Sequence, residues 1–272
     1  MNIKGTLLNF DTPLLMAIMN ITPDSFFEKS RINKKDDIKS IIEKKFNETA
    51  DIIDIGAMST RPNAKIISQN EEWKRLEPIL KITNKHFPDK IFSIDTFRSE
   101  IAKRAVKDYG ISIINDISGG DFDDKMFETA AEINVPYILM HKQGNIETMH
   151  NNVYYELFIR DIMFYFSEKI AKLNLLGISD IIIDPGFGFS KTIEQNYILL
   201  NNLNNFKIFK LPILAGLSRK RMVWQQLNIS CEESLNATTV LNTIALYKGI
   251  NILRVHDIVE ARQAINLLQI FN

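Results

Sequence analysis

Cysteine is almost missing from this chain: Cys231 is the only one in 272 residues. An internal disulfide and a multi-cysteine zinc site are therefore excluded, and a reducing compartment suits such a chain. Histidine is scarce too, and His86, His141, His150 and His256 show no HExxH-type spacing. Net charge is absent: 33 basic residues balance 33 acidic ones, which gives no reason to expect nucleic acid or an anionic membrane as partner. No apolar stretch reaches the roughly 20 residues that span a bilayer. Met1-Asn2-Ile3-Lys4-Gly5 is not a basic region leading into a long apolar run, and Asp11 and Pro13 interrupt Leu7 to Met19. No signal peptide is expected, and the expected location is the cytoplasm.

What the chain does contain is a repeated unit, clearest at Asp180-Ile181-Ile182-Ile183-Asp184-Pro185-Gly186-Phe187-Gly188-Phe189-Ser190-Lys191-Thr192. A β-branched run too short for a helix stops at Asp184, and Pro185-Gly186 breaks the backbone. This reads as a buried parallel strand with a carboxylate at its end, over which the glycines let the chain fold closely. Seven further apolar runs have this form: Leu14 to Met19, Asp51 to Ile55, Ile91 to Ile94, Ile111 to Ile114, Tyr137 to Met140, Pro212 to Leu217 and Ile250 to Val255. Helical spacing follows each, as in Ile38, Ile41, Ile42 and Phe46. A helix from near Glu71 carries Trp73, Leu76 and Leu80, and Pro78 within it predicts a kink or a late start. A longer, aromatic-rich helix is expected over about Tyr154 to Leu176, closed by Gly177. Eight strand–helix units in about 250 residues imply a single-domain (β/α)8 barrel over 1–272, with long loops after the first two strands. A doubly wound open sheet is the alternative.

In a barrel the carboxyl ends of all strands share one face. That face would hold Asn20, Asp54, Asp95, Asn115, Asp116, His141, Asp184, Ser218, Lys220, Arg254 and His256. Singly these are weak signals. Asp54 or Asp116 reads equally as a helix N-cap or a loop brace, and His141 as a packed histidine. Together they carry chemistry. Arg254 and His256, two apart on an extended chain, point the same way. With Lys220 they form a basic group at the usual phosphate-binding end of a barrel. A surface ion pair of Arg254 with Asp257 or Glu260 is the plainer alternative. Asp95, Asn115 and Asp184 supply two carboxylates and an amide, which suit a flat, nitrogen-rich heterocycle better than a sugar. The residues point to a heterocycle carrying a phosphate.

Asn20-Ile21-Thr22-Pro23-Asp24-Ser25-Phe26, Asp54-Ile55-Gly56 with Ser59-Thr60-Arg61-Pro62, Ser93-Ile94-Asp95-Thr96 and Asn115-Asp116-Ile117-Ser118-Gly119 lie in order at strand ends. Leu139-Met140-His141, Asp184-Pro185-Gly186-Phe187-Gly188-Phe189, Ser218-Arg219-Lys220 and Arg254-Val255-His256-Asp257 continue the series. With these stretches the chain resembles, nearly end to end, the dihydropteroate synthase family. The resemblance implies a transferase of folate biosynthesis that joins 4-aminobenzoate to the methylene carbon of a dihydropterin and releases pyrophosphate. It implies that Asp95, Asn115, Asp184 and Lys220 hold the pterin ring, with Met140 packed against it. Asn20 would bind Mg2+, and Arg254 and His256 the pyrophosphate. Thr60, Arg61, Pro62, Phe189 and Ser218 would serve the 4-aminobenzoate site or the loop over it. Catalysis would fall to Asp95, Asp184, Lys220, Arg254 and His256. A homodimer is also implied, commonly through late helices, where Leu246, Ile265 and Leu268 suit either that surface or the barrel core.

The departures from the family pattern lie in loops. Glu28 stands where an aspartate is usual, Ala57-Met58 replaces Gly-Glu, Asn63 replaces a glycine, and Ser190 stands where glycine is common. They leave the ring and phosphate positions intact and bear on 4-aminobenzoate affinity and sulfonamide response. Two other readings compete. One is a pterin-dependent methyltransferase relative, against which Lys220, Arg254 and His256 argue. The other is a catalytically silent pterin-binding paralogue, for which the altered loops argue.

Overall fold

The computed structural model describes residues 1–3, 5–21, 34–58, 66–145, 148 and 154–271. Glu28, Thr60, Arg61, Pro62 and Asn63 lie outside the described residues. The eight apolar runs become eight strands: β1 (Leu14–Asn20), β2 (Ile52–Gly56), β3 (Ile91–Asp95), β4 (Ile113–Asp116), β5 (Tyr137–Met140), β6 (Ile181–Asp184), β7 (Leu214–Ala215) and β8 (Ile252–Val255). β1 to β6 pair in sequence order, and β8 lies between β1 and β7. A parallel bridge between Ile183 and Ile213, with a 2.9 Å bond from the Ile183 N–H to the Pro212 carbonyl, joins β6 to the run entering β7. The ring closes as a (β/α)8 barrel, and the open sheet is not formed.

Strand parity divides the apolar residues between two cores. Met16, Ile52, Ile113, Ile138, Ile182, Leu214 and Ile252 fill the lower barrel, and Ile3 joins them from an N-terminal ribbon of Asn2–Ile3 paired with Thr6–Leu7. Their neighbours Leu15, Ile53, Ile114, Leu139, Ile183 and Leu253 belong to the outer core under the helices. Each strand is buried on both faces, so its sequence reads as continuously apolar rather than alternating.

The outer layer is α1 (Lys34–Asn47), α2 (Gln69–His86), α3 (Ser99–Tyr109), α4 (Met126–Ile133), α5 (Phe158–Leu175), α6 (Ile193–Asn201), α7 (Leu235–Tyr247) and α8 (Ile258–Gln269). α2 runs through Pro78 and starts early, where the Ser68 hydroxyl accepts from the Glu71 N–H at 3.2 Å. Its buried face of Leu76, Ile79, Leu80 and Ile82 offsets the roughly 3 kcal/mol that an interior proline costs. α5 begins at Phe158 rather than Tyr154, and the Asp161 carboxylate accepts from the Leu157 N–H at 3.0 Å at its start. Leu246 and Ile265 lie in the outer core and Leu268 packs against it, so these three serve the barrel. α7 exposes Val240, Ile244 and Tyr247 instead. No described helix is long and apolar enough to cross a membrane.

Candidate active site

Parallel register lines up the strand ends. Asn20 pairs with Gly56, Gly56 with Asp95, and Asp95 with Asn115. Further round, Met140 pairs with Asp184. All six share the inward parity of the lower core. A polar layer therefore rests directly on an apolar plug, and Asp54 and Ser93, themselves paired, lie one inward step below Gly56 and Asp95.

Arg254 enters this layer from β8. Its Nε donates to Asp54 Oδ2 at 2.7 Å and its Nη2 to Asp95 Oδ2 at 2.8 Å. Asn115 Nδ2 donates to the same Asp54 oxygen at 2.8 Å, and the Ser93 hydroxyl donates to Asp54 Oδ1 at 2.5 Å. The sequence alone places acids on one side of the mouth and a separate basic group on the other. The structure sets Arg254 among the acids. Nor does Arg254 pair with Asp257 or Glu260: Asp257 takes the fork of Arg219, from Nε and Nη2 at 2.9 and 2.8 Å. His256 is exposed at the rim, and its backbone N–H donates to Ser218 Oγ at 3.2 Å. Arg254 and His256 share a parity but differ in depth.

Asp184 ends β6, buried, with its Oδ1 accepting from the Gly186 N–H at 2.8 Å. Lys220 reaches in after β7, its ammonium bonded to the Phe187 carbonyl and 4.9 Å from the centre of the Phe189 ring. Beside these groups Phe97, Ile117, Met140 and Phe189 form a buried apolar cluster, with Met58 and Phe122 packed against it. Met58 thus replaces the family's usual carboxylate with apolar packing.

Burying opposite charges together makes each depend on its neighbours. Burial drives Asp95 up to about 7; Arg254 pulls against this and Asp54 pushes with it. The 2.8 Å bond to a guanidinium is the geometry of the ionised acid. Burial raises Asp184 as well, opposed by Lys220. The Lys220 ammonium is lowered to about 8 by burial, against the Asp184 charge. Burial also works against the Arg254 charge, but Asp54 and Asp95 outweigh it.

Two strand-end residues have outward parity and take structural parts. Asp116 braces its loop, accepting from the N–H groups of Ser118 and Gly120 at 2.8 Å each and from the Tyr137 hydroxyl at 2.5 Å. His141 is buried among Tyr155, Tyr165 and Phe166. Its partner is Lys191, which no sequence motif singles out. This buried ammonium meets His141 Nδ1 at 3.0 Å and donates to the carbonyls of Gly186 and Phe189 at 3.0 and 3.1 Å. Burial lowers it to about 7. Ser190 adopts φ 50°, which suits the family's usual glycine. Its hydroxyl compensates by accepting from the Gln143 N–H at 2.9 Å and donating to the Gln143 carbonyl at 2.7 Å.

Comparison with known proteins places the chain and its barrel in a family. The family described as "Pterin binding enzyme" matches residues 16–256. The dihydropteroate synthase of Escherichia coli (strain K12) is 38% identical over 268 residues, covering 98% of this chain and 94% of that protein. The structure of Yersinia pestis dihydropteroate synthase with a sulfonamide drug complex aligns at TM-score 0.91 and 33% identity, covering 100% of this chain and 98% of that one. Xanthomonas albilineans dihydropteroate synthase with 4-aminobenzoic acid aligns at TM-score 0.89 and 30% identity, covering 98% and 96% of the two chains. The relatives match along almost the whole length and share the barrel, and the chain belongs to the pterin-binding enzyme family, among its dihydropteroate synthases.

Proposed function

We infer that the protein joins 4-aminobenzoate to (7,8-dihydropterin-6-yl)methyl diphosphate, giving 7,8-dihydropteroate and pyrophosphate, as an alkyl or aryl transferase of folate biosynthesis. The observation that carries this reading is the meeting of Asp95, Asn115, Asp184, Lys220 and Arg254 at one barrel mouth, in a chain whose near-full-length relatives are dihydropteroate synthases.

Asp95, Asn115 and Asp184 offer acceptors to the N–H-rich edge of the ring, and Met140 packs against it. The methylene C–O bond breaks, the arylamine nitrogen forms the new C–N bond, and that nitrogen then gives up a proton. Negative charge grows on the departing diphosphate, where Lys220, Arg254 and His256 stabilise it. Positive charge grows on the pterin, where the carboxylates of Asp95 and Asp184 favour it. The substitution is largely dissociative and needs no covalent enzyme intermediate, and a weakly basic arylamine requires no strong general base. Thr60, Arg61, Pro62, Phe189 and Ser218 serve the 4-aminobenzoate end.

Among the described residues, no three His, Cys, Asp or Glu side chains gather into a metal cage. Asn20 ends β1 with its amide oxygen beside Gly56, which has no side chain to intervene. One hard oxygen fits Mg2+, which retains waters and substrate phosphates as its other ligands. Bound with the diphosphate, Mg2+ would offset charge on the leaving group. The protein is further read as a cytoplasmic homodimer, with exposed Val240, Ile244 and Tyr247 of α7 supplying an apolar face.

The test is pyrophosphate release from the dihydropterin diphosphate with Mg2+, with and without 4-aminobenzoate, by the wild type and Asp184→Asn. Release should require the amine, yield dihydropteroate and collapse in the variant. Tight pterin binding by the wild type without turnover would replace the enzyme with a silent pterin-binding paralogue.

A further inference from the structure

The reaction above gives Asp54 no part, yet Asp54 is bonded on both carboxylate oxygens. It is fully buried on the inward face of β2. Its carboxylate gathers donors from three other strands, Ser93 of β3, Asn115 of β4 and Arg254 of β8, at 2.5, 2.8 and 2.7 Å. It lies below the mouth, since Gly56 and Asp95 stand one inward step above it.

Amide orientation is ordinarily ambiguous, but here chemistry decides it. The Asp54 oxygen that meets Asn115 also accepts from the Arg254 guanidinium, which can only donate, so the NH2 side of Asn115 faces Asp54. The Asn115 oxygen is thereby turned away from Asp54 and available as an acceptor. Arg254 is constrained in the same way. With Nε on Asp54 and Nη2 on Asp95, two anchors set the plane of its guanidinium. Ser93 holds the second Asp54 oxygen and so keeps the carboxylate from rotating.

We propose that Asp54 is a positioning residue of the pterin site: it turns the Asn115 amide so that its oxygen meets a ring N–H, and it sets the Arg254 plane, without touching substrate. This deepens the synthase reading and rests on it for the identity of the ring.

The test is steady-state kinetics on the full chain, wild type against Asp54→Asn and Asp54→Ala, with equilibrium binding of the dihydropterin diphosphate and thermal unfolding in parallel. Asp54→Ala removes the acceptors that orient Asn115 and Arg254. Asp54→Asn keeps the shape and one acceptor but loses the charge. The KM and Kd for the dihydropterin substrate should rise roughly 10- to 100-fold in Asp54→Ala, the scale of lost charge-assisted hydrogen bonds. Asp54→Asn should recover part of that loss, and the KM for 4-aminobenzoate should stay within about twofold in both. An unchanged dihydropterin KM and Kd in folded Asp54→Ala overturns the proposal, as does an equal rise in both KM values. If Asp54→Ala does not fold, Asp54→Asn decides: a selective rise of about fivefold or more supports the proposal, and a smaller one overturns it. A wild type that binds pterin without turnover would overturn the synthase reading, and the Kd of the same variants would then judge Asp54 alone.

Discussion

Gly186 folds the chain back over Asp184 at φ 73°, and its N–H caps that carboxylate at 2.8 Å. Replacing it with alanine has two separable costs. A left-handed backbone penalises any Cβ by about 1–2 kcal/mol. A Cβ here would also stand 3.1 Å from the carbonyl carbon of His141, and closer still to its oxygen. That obstacle is backbone at the end of β5, which no rotamer change relieves, and overpacking of this kind costs typically about 1–3 kcal/mol more. The sum, about 2–5 kcal/mol, corresponds to a fall in melting temperature of roughly 4–20 °C for a chain of this size. Gly177 after α5 is the control: it sits at φ 86° with nothing within 4 Å of an added Cβ. Gly177→Ala should show the first cost alone, a fall of roughly 2–8 °C. Activity should separate the two further. A loop displaced by about 1 Å at Asp184 and the Phe187 carbonyl should lower kcat/KM by about 100-fold, whereas Gly177→Ala should leave it within about twofold. Thermal unfolding and pyrophosphate release on both variants test this. If Gly186→Ala proves as mild as Gly177→Ala in both assays, the loop does not depend on this close approach and the reasoning fails.

Three further outcomes are expected. With Asp95 near 7 and Lys220 near 8 in the free protein, kcat/KM for the dihydropterin substrate should rise as Asp95 ionises and fall as Lys220 loses its proton. Lys220→Arg should remove the alkaline limb and leave the acid one, and an alkaline limb unmoved in that variant would assign it to another group. Lys191→Met strips the donor from His141 Nδ1 and the carbonyls of Gly186 and Phe189; the Gly186 carbonyl keeps the Phe189 N–H at 3.2 Å, so two acceptors are orphaned at about 1–3 kcal/mol each. Its melting temperature should fall by roughly 4–24 °C, and an unchanged value would show that the loop does not need this donor. Chelation of Mg2+ should abolish pyrophosphate release reversibly, and Asn20→Ala should raise the Mg2+ concentration required; an unchanged Mg2+ dependence in Asn20→Ala would remove Asn20 from the metal site.

Much of this protein is determined by local sequence. A run such as Ile181-Ile182-Ile183 is too short for a helix and too apolar for a surface, and Asp184-Pro185-Gly186 ends it with a carboxylate and a turn. Eight such runs alternating with helical spacing leave few arrangements besides a parallel barrel, whose carboxyl ends gather Asp95, Asn115 and Asp184 on one face. Local sequence does not, however, distinguish Asp54 from Asp116 or His141, since each is a polar residue near a strand end. The barrel separates them by parity: Asp54 faces the interior, while Asp116 and His141 face the helices. The same holds for Lys191, which looks like a turn residue until burial and the carbonyls of Gly186 and Phe189 enclose it. Arg254 is the clearest case. Its neighbours in sequence offer Asp257 and Glu260, but closure of β8 on β1 carries it to Asp54, 200 residues away. Side-chain type and strand length follow from local chemistry; which charge meets which follows from register and ring closure, and these exist only once the chain has folded.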